Sequence, residues 1–298
     1  MRISPPESVD ASTNEQPVGV AAGASSQPVT AAGLRSGSLR WWKEIAVIAV
    51  FYAVYSAVRD LRGTRPVSVA QAFHNARRVI GLERRLGLFH EASIQHAFLG
   101  DHLVVRLLDD WYGSTHFIVT AGVLVLLFFS RRGLYRLWRN TLAVATALAL
   151  VGFAFFPLMP PRLLPAQYGF TDTLKVVGGL WNFDSGPMSH LSDQYAAMPS
   201  LHFAWALWCG IVLFSISRRW WTRVASLAYP AVTLLCVIVT ANHYFTDTAA
   251  GAAIVAVGYA AARGADRWWP RRPSATRPTE AADTGPGAAV VTRPARSS

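Results

Sequence analysis

Charge is scarce in this sequence, and acid is scarcer than base: 15 % of the 298 residues are charged, with 17 acids against 28 lysines and arginines. Set against 52 % hydrophobic residues, so small a charged share excludes an ordinary soluble domain. Cysteine is nearly absent. Cys209 and Cys236 both fall inside apolar runs, which excludes a disulfide framework and reads as two small buried residues. The apolar runs lack strict alternation with polar residues, so barrel strands are excluded. The first forty residues lack a basic start followed by an apolar core, so no cleaved signal peptide is expected. No internal repeat is found.

What is present is a set of six apolar runs, at 41–58, 111–129, 140–158, 199–216, 224–242 and 245–262, each about 16 to 20 residues long. That is near the length a helix needs to cross a bilayer. Backbone groups in lipid must be satisfied within the span, which leaves helices. The expected fold is all-α: a polytopic membrane protein with six transmembrane helices in one bundle. The membrane domain is expected over 39–269, between an Ala-, Ser- and Pro-rich tail over 1–38 and a basic tail over 270–298. Neither tail can bury enough apolar surface to order itself.

A net charge of +11 would suggest nucleic acid in a soluble protein, but here the arginines flank helix ends, and no nucleic-acid partner is expected. Arg131, Arg132, Arg136 and Arg139 share a loop without an acid, as do Arg218, Arg219 and Arg223. Both loops are expected in the cytoplasm. Arg263, Arg267, Arg271 and Arg272 after the last run, and Arg35, Arg40 and Lys43 before the first, agree. An integral protein of the plasma membrane with both termini inside satisfies all of these. Residues 59–110 then lie outside, although they carry eight arginines against six acids. Within them, 76–99 alternates charge with Val79, Ile80, Leu82, Leu86, Ile94 and Phe98, the pattern of an amphipathic helix lying in the interface or packed over the bundle mouth.

Unusual polar residues gather at three helix ends on the predicted outer face. The third run ends in Pro160, Pro161 and Arg162, where proline stops the helix and a permanent charge stands at the rim. The fourth begins with Pro199, Ser200, Leu201 and His202, and the fifth ends in His243, Tyr244, Phe245, Thr246 and Asp247. Four residues apart on a helical turn, Asp247 would hold one ring nitrogen of His243 protonated and leave the other free as nucleophile or base. Ser200 at the start of a helix offers N–H groups and a positive dipole end to a phosphate. His202 in the same turn is placed to protonate a leaving oxygen. Taken singly, each has a structural reading: an interface arginine, a hydrogen-bonded helix histidine, a chance His–Asp spacing. Together, ionisable residues at membrane helix ends on one side point to a site.

The ordered set Pro-Pro-Arg at 160–162, Pro-Ser-Leu-His at 199–202 and His-Tyr-Phe-Thr-Asp at 243–247 resembles the type 2 phosphatidic acid phosphatase superfamily. It looks closest to the inositolphosphotransferase branch that contains the inositol phosphorylceramide synthases. The resemblance covers about 111–262. It implies a six-helix fold and metal-independent phosphoryl transfer through a phosphohistidine, with no cofactor. His243 matches the nucleophile, Asp247 its orienting acid, His202 the general acid and Arg162 a phosphate-binding arginine. Phe155 stands where the first motif usually has lysine, Leu201 where the second has glycine, and Cys236 and Val237 where the third has a Ser-Arg pair. Lys175, Arg77 or Arg78 are candidates for the missing cations.

Tyr112 and His116, four apart near the start of the second run, and Tyr195 in the long loop 163–197 are candidates for a substrate pocket, with packing the alternative. The expected partners are a membrane lipid substrate (a phospholipid, a polyprenyl phosphate or an inositol-phosphate lipid) and an acceptor, either water or a lipid alcohol. Two rival readings use the same residues: a transporter, which calls for polar residues at the membrane midplane, and a hydrolase with His202, His243 and Asp247 around a metal.

Overall fold

The computed structural model describes Trp42, Ala46, Ala53 and residues 68–178 and 195–268. The expected first span and both tails lie outside the described residues but for those three positions, as do Trp181 to Gln194 of the long loop. Among the described residues the chain is helical, with one isolated bridge between Leu158 and Ala196 in place of any sheet.

The segment expected as one amphipathic helix over 76–99 is two helices. Ser68 caps α1 (Val69–Leu86) by accepting from the Gln71 N–H. Gly87, at φ 68°, ends it in the left-handed conformation that glycine adopts without steric cost, and α2 (Glu91–Phe98) follows. The buried stripe of α1 runs Ala72, Asn75, Ala76, Val79, Ile80 and Glu83, a helical period. Its apolar members pack with Leu158, Met159, Leu164 and Tyr244, so α1 rests on the loop after the next helix pair. Asn75 donates to the Pro157 carbonyl at 2.8 Å, and Gln95 of α2 donates to the carbonyls of Thr171 and Val239.

Four helices are long and apolar enough to cross a membrane: α3 (His102–Ser130), α4 (Arg132–Phe155), α7 (Trp220–Val239) and α8 (Phe245–Trp268). Between them come a short α5 (Thr173–Val176) and the apolar, 16-residue α6 (Leu201–Ile216). With Phe117, Ile118, Phe129, Val151, Phe155 and Val224 exposed along these helices, the chain is an integral membrane protein. Two helices begin earlier than hydropathy alone indicates. α3 starts at His102 because Asp101 caps it, its carboxylate accepting from the N–H groups of Leu103 and Val104. α4 starts at Arg132, so the basic residues taken for a loop form its first turns.

The bundle is held close by glycine. A Cβ at Gly251 of α8 would stand 2.7 Å from the Ser200 carbonyl, and one at Gly258 would stand 2.6 Å from that of Thr141 in α4. Pro230 inside α7 has no N–H to give to the Ser226 carbonyl four residues back, and Gly210 of α6 packs against that freed carbonyl. Trp208 fills the centre and donates to the Trp138 carbonyl at 3.0 Å. The start of α3, the ends of α4 and α7 and the starts of α6 and α8 therefore share one end of the bundle.

Candidate functional site

The turn between α7 and α8 builds the site. Ala241 is left-handed at φ 51°, a conformation unfavourable for a residue with a Cβ. It closes α7 so that the N–H groups of Asn242 and His243 both return to the Val237 carbonyl. His243 is then carried to Asp247 in the first turn of α8, with Nδ1 and Oδ2 at 3.4 Å. That contact is an ion-pair distance without hydrogen-bond alignment, and among the described residues neither ring nitrogen of His243 has a hydrogen-bond partner although the residue is buried. Oδ2 of Asp247 also accepts from the Tyr244 N–H at 3.0 Å.

His202 enters from the start of α6, its ring centroid 5.8 Å from that of His243. Tyr112 of α3 stacks on His202 at 4.0 Å, and His116, one turn on, meets it edge-on at 4.1 Å. The Tyr112–His243 distance is 6.4 Å. Two of the three pocket candidates thus join the histidines, and Trp111, Thr233, Cys236 and Val237 complete a narrow crevice around Tyr112, His116 and His202. The third, Tyr195, packs with the cluster under α1, and its carbonyl accepts from the Leu158 N–H.

Ser200 is placed at this end of the bundle, but its groups have structural work. Its hydroxyl accepts from the Phe203 N–H as the cap of α6, and its own N–H donates to the Asp247 carbonyl at 3.0 Å. It ties the starts of α6 and α8 together.

Arg162 is locked in place from two sides. Its backbone N–H donates to the Ala241 carbonyl, and Nε donates to Oδ1 of Asn242, the residue before His243, at 3.0 Å. Nη1 approaches Oδ2 of Asp172 at 3.4 Å, and Lys175 reaches that same oxygen at 3.1 Å. Of the cations considered as substitutes, Lys175 therefore shares a carboxylate with Arg162. Arg77 and Arg78 are exposed on α1, off its buried stripe. At the departures from the phosphatase motifs, Phe155 is 83 % exposed at the end of α4, while Cys236 and Val237 line the crevice. Among the described residues no group of three or more His, Cys, Asp or Glu side chains is arranged to hold a metal ion.

Sequence reasoning passed over Asp172, Glu83 and Glu91, and gave Asn242, beside His243 at the end of the fifth run, no role. Glu83 had a signal: it falls on the buried stripe of α1, where an acid must be paired. Asp172 had none, because nothing in the sequence shows that the connection between α4 and α5 folds back to bring it onto Arg162, ten residues before it.

No curated protein and no solved structure matches the chain. The PAP2 superfamily profile matches residues 77–261, more than half of the chain and a span that includes every residue of this site: the chain belongs to the PAP2 superfamily.

Proposed function

We propose that the protein transfers the phosphoryl group of a lipid phosphate through a covalent phosphohistidine at His243. The observation that carries this reading is the placement of His243 beside Asp247, with the His202 ring 5.8 Å away from the His243 ring between centroids, so that both imidazoles serve one phosphorus. Nε2 of His243 bonds to phosphorus as the bond from phosphorus to the lipid oxygen breaks. That oxygen keeps the electron pair and takes a proton from His202. Asp247 steadies the positive charge on the His243 ring. In the second step His202 takes a proton from water or an alcohol, whose oxygen displaces His243 from phosphorus. Arg162 and Lys175 face the phosphate oxygens together, in place of the cations missing from the motifs; phosphoryl transfer calls mainly for such positioning and charge stabilisation.

Leu201 and the Pro-Pro-Arg form favour the inositolphosphotransferase branch, with a lipid alcohol as acceptor. The distribution of arginines favours six spans, both termini in the cytoplasm and the site at the outer face of the plasma membrane.

The test is phosphate release and head-group exchange on a panel of lipid phosphates, with and without chelator, beside His243→Ala. Turnover by the parent that survives chelator and vanishes in His243→Ala, together with an acid-labile phosphoryl-enzyme, supports the reading. Unchanged turnover in His243→Ala sinks it.

A further inference from the structure

The two carboxylates of the α1–α2 pair end on the backbone of the active-site turn. Oε1 of Glu83 accepts from both the N–H and the hydroxyl of Thr246, at 2.7 Å each, and Oε1 of Glu91 accepts from the Phe245 N–H at 3.1 Å. Phe245 and Thr246 lie between His243 and Asp247. Their N–H groups open α8, so no carbonyl of that helix satisfies them. Both glutamates are fully buried. They come from a segment that lies more than 140 residues away in sequence and reaches this point only because α1 and α2 close over the loops.

We infer that Glu83 and Glu91 are positioning residues for the reacting pair: sharing one proton between them, they fix the first turn of α8 and with it the separation of His243 from Asp247. The inference rests on the reading of His243 and Asp247 as the reacting pair. Two buried carboxylates side by side do not both stay ionised. The remaining oxygen of each, Oε2, is buried without a hydrogen-bond partner among the described residues, which is where a shared proton would sit. Burial first, and then the neighbouring Glu83, push the Glu91 carboxyl from 4.5 up to about 8. Among the described residues, Tyr244 and Asp247 interact with the pair; both are anionic when they ionise, so neither compensates a second negative charge. Because folding raises this pKa, the stability it contributes is fully present below about 4.5 and is lost as pH rises through about 8. Above that point the two carboxylates repel and the turn loosens.

Three variants of the full chain test this in lipid vesicles, on whichever lipid phosphate the parent turns over. Glu91→Gln keeps the acceptor for Phe245 and supplies a permanent donor to Glu83, so it mimics the protonated form. It should keep kcat near neutral pH within about threefold and lack the parent's fall in kcat around pH 8. Glu83→Ala strips Thr246 of both contacts and should lower kcat about 10- to 100-fold with KM little changed. His243→Ala separates this inference from the reading beneath it. If His243→Ala is active, that reading fails. If it is inactive while Glu91→Gln keeps the parent's alkaline fall, or a folded Glu83→Ala keeps its kcat, the positioning role alone is overturned. Should Glu83→Ala not fold, the pH profile of Glu91→Gln decides.

Discussion

The two ends of the helical bundle use ionisable residues in opposite ways. At one end Arg162, His202, His243, Asp247, Glu83 and Glu91 are partly or fully buried, with named partners on other elements. At the other end Arg219, Arg223 and Arg263 are exposed and lie over Trp221, Phe214 and Tyr259 of their own or adjoining turns. Trp220 and Trp268 there are 76 % and 89 % exposed. The first arrangement spends folding energy on placing charge, since a buried charge is tolerated only when paired and hydrogen-bonded. The second keeps charge in contact with water or head groups, with aromatic rings alongside as at a membrane boundary. Equal substitutions at the two ends should therefore have very unequal effects.

The largest difference is expected at Asp247. Asp247→Asn keeps an oxygen for the Tyr244 N–H, so the turn survives, but the amide neither orients the His243 ring nor balances its charge. Turnover should fall about 1,000- to 10,000-fold with the melting temperature little changed, measured as steady-state kcat beside a thermal scan in detergent. Equal losses of activity and stability would show that Asp247 acts only as a cap of α8.

Arg162→Lys comes next. An ammonium cannot both reach Asn242 and approach Asp172 as the guanidinium fork does. About a 10-fold rise in KM, with kcat affected less, is the expected outcome. Competition with inorganic phosphate in the parent and the variant would show whether the loss lies in phosphate binding. A variant with an unchanged KM would remove Arg162 from the binding assignment.

What the sequence disclosed follows the same division. The site end announces itself because its motifs are local: Pro199 and Ser200 start a helix that carries His202, and His243 stands one turn from Asp247. The charge asymmetry of the far end is equally local, since it is a count of arginines beside apolar runs. Long-range pairing stays hidden. Glu83 shows only its place on the stripe of α1 and Glu91 reads as a surface charge at the start of α2; their partners at Phe245 and Thr246 come into reach only through the tertiary packing. Hydropathy also misplaced the starts of α3 and α4, because Asp101 caps the one and arginine is a good helix former in the other. The break at Gly87 was legible in principle, as glycine followed by a new apolar run marks a helix end.

Two glycines of one helix carry the comparison into packing. Gly251→Ala puts a methyl group 2.7 Å from the Ser200 carbonyl, the point at which Ser200 also holds the Asp247 carbonyl, so α8 must move away from α6. A loss of about 1–3 kcal/mol is expected, with a drop in kcat because His202 and His243 separate. Gly264→Ala, three turns on, meets nothing within 4 Å and should add about 0.5–1 kcal/mol through helix propensity. Thermal scans of both variants with kcat in parallel read the contrast, and it collapses if the two substitutions shift the melting temperature alike.

The smallest effect belongs to Arg219→Ala. Its guanidinium lies 5.9 Å from the Trp221 ring, an exposed contact worth under about 1 kcal/mol at the end of the bundle away from the histidines. Thermal stability should fall slightly and kcat should not change. A clear loss of turnover in this variant would mean that the two ends are coupled through α7, whose far terminus sets the Ala241 turn. The division drawn between a placed end and a solvated end would then have to give way to one in which the tilt of α7 is part of the active-site geometry.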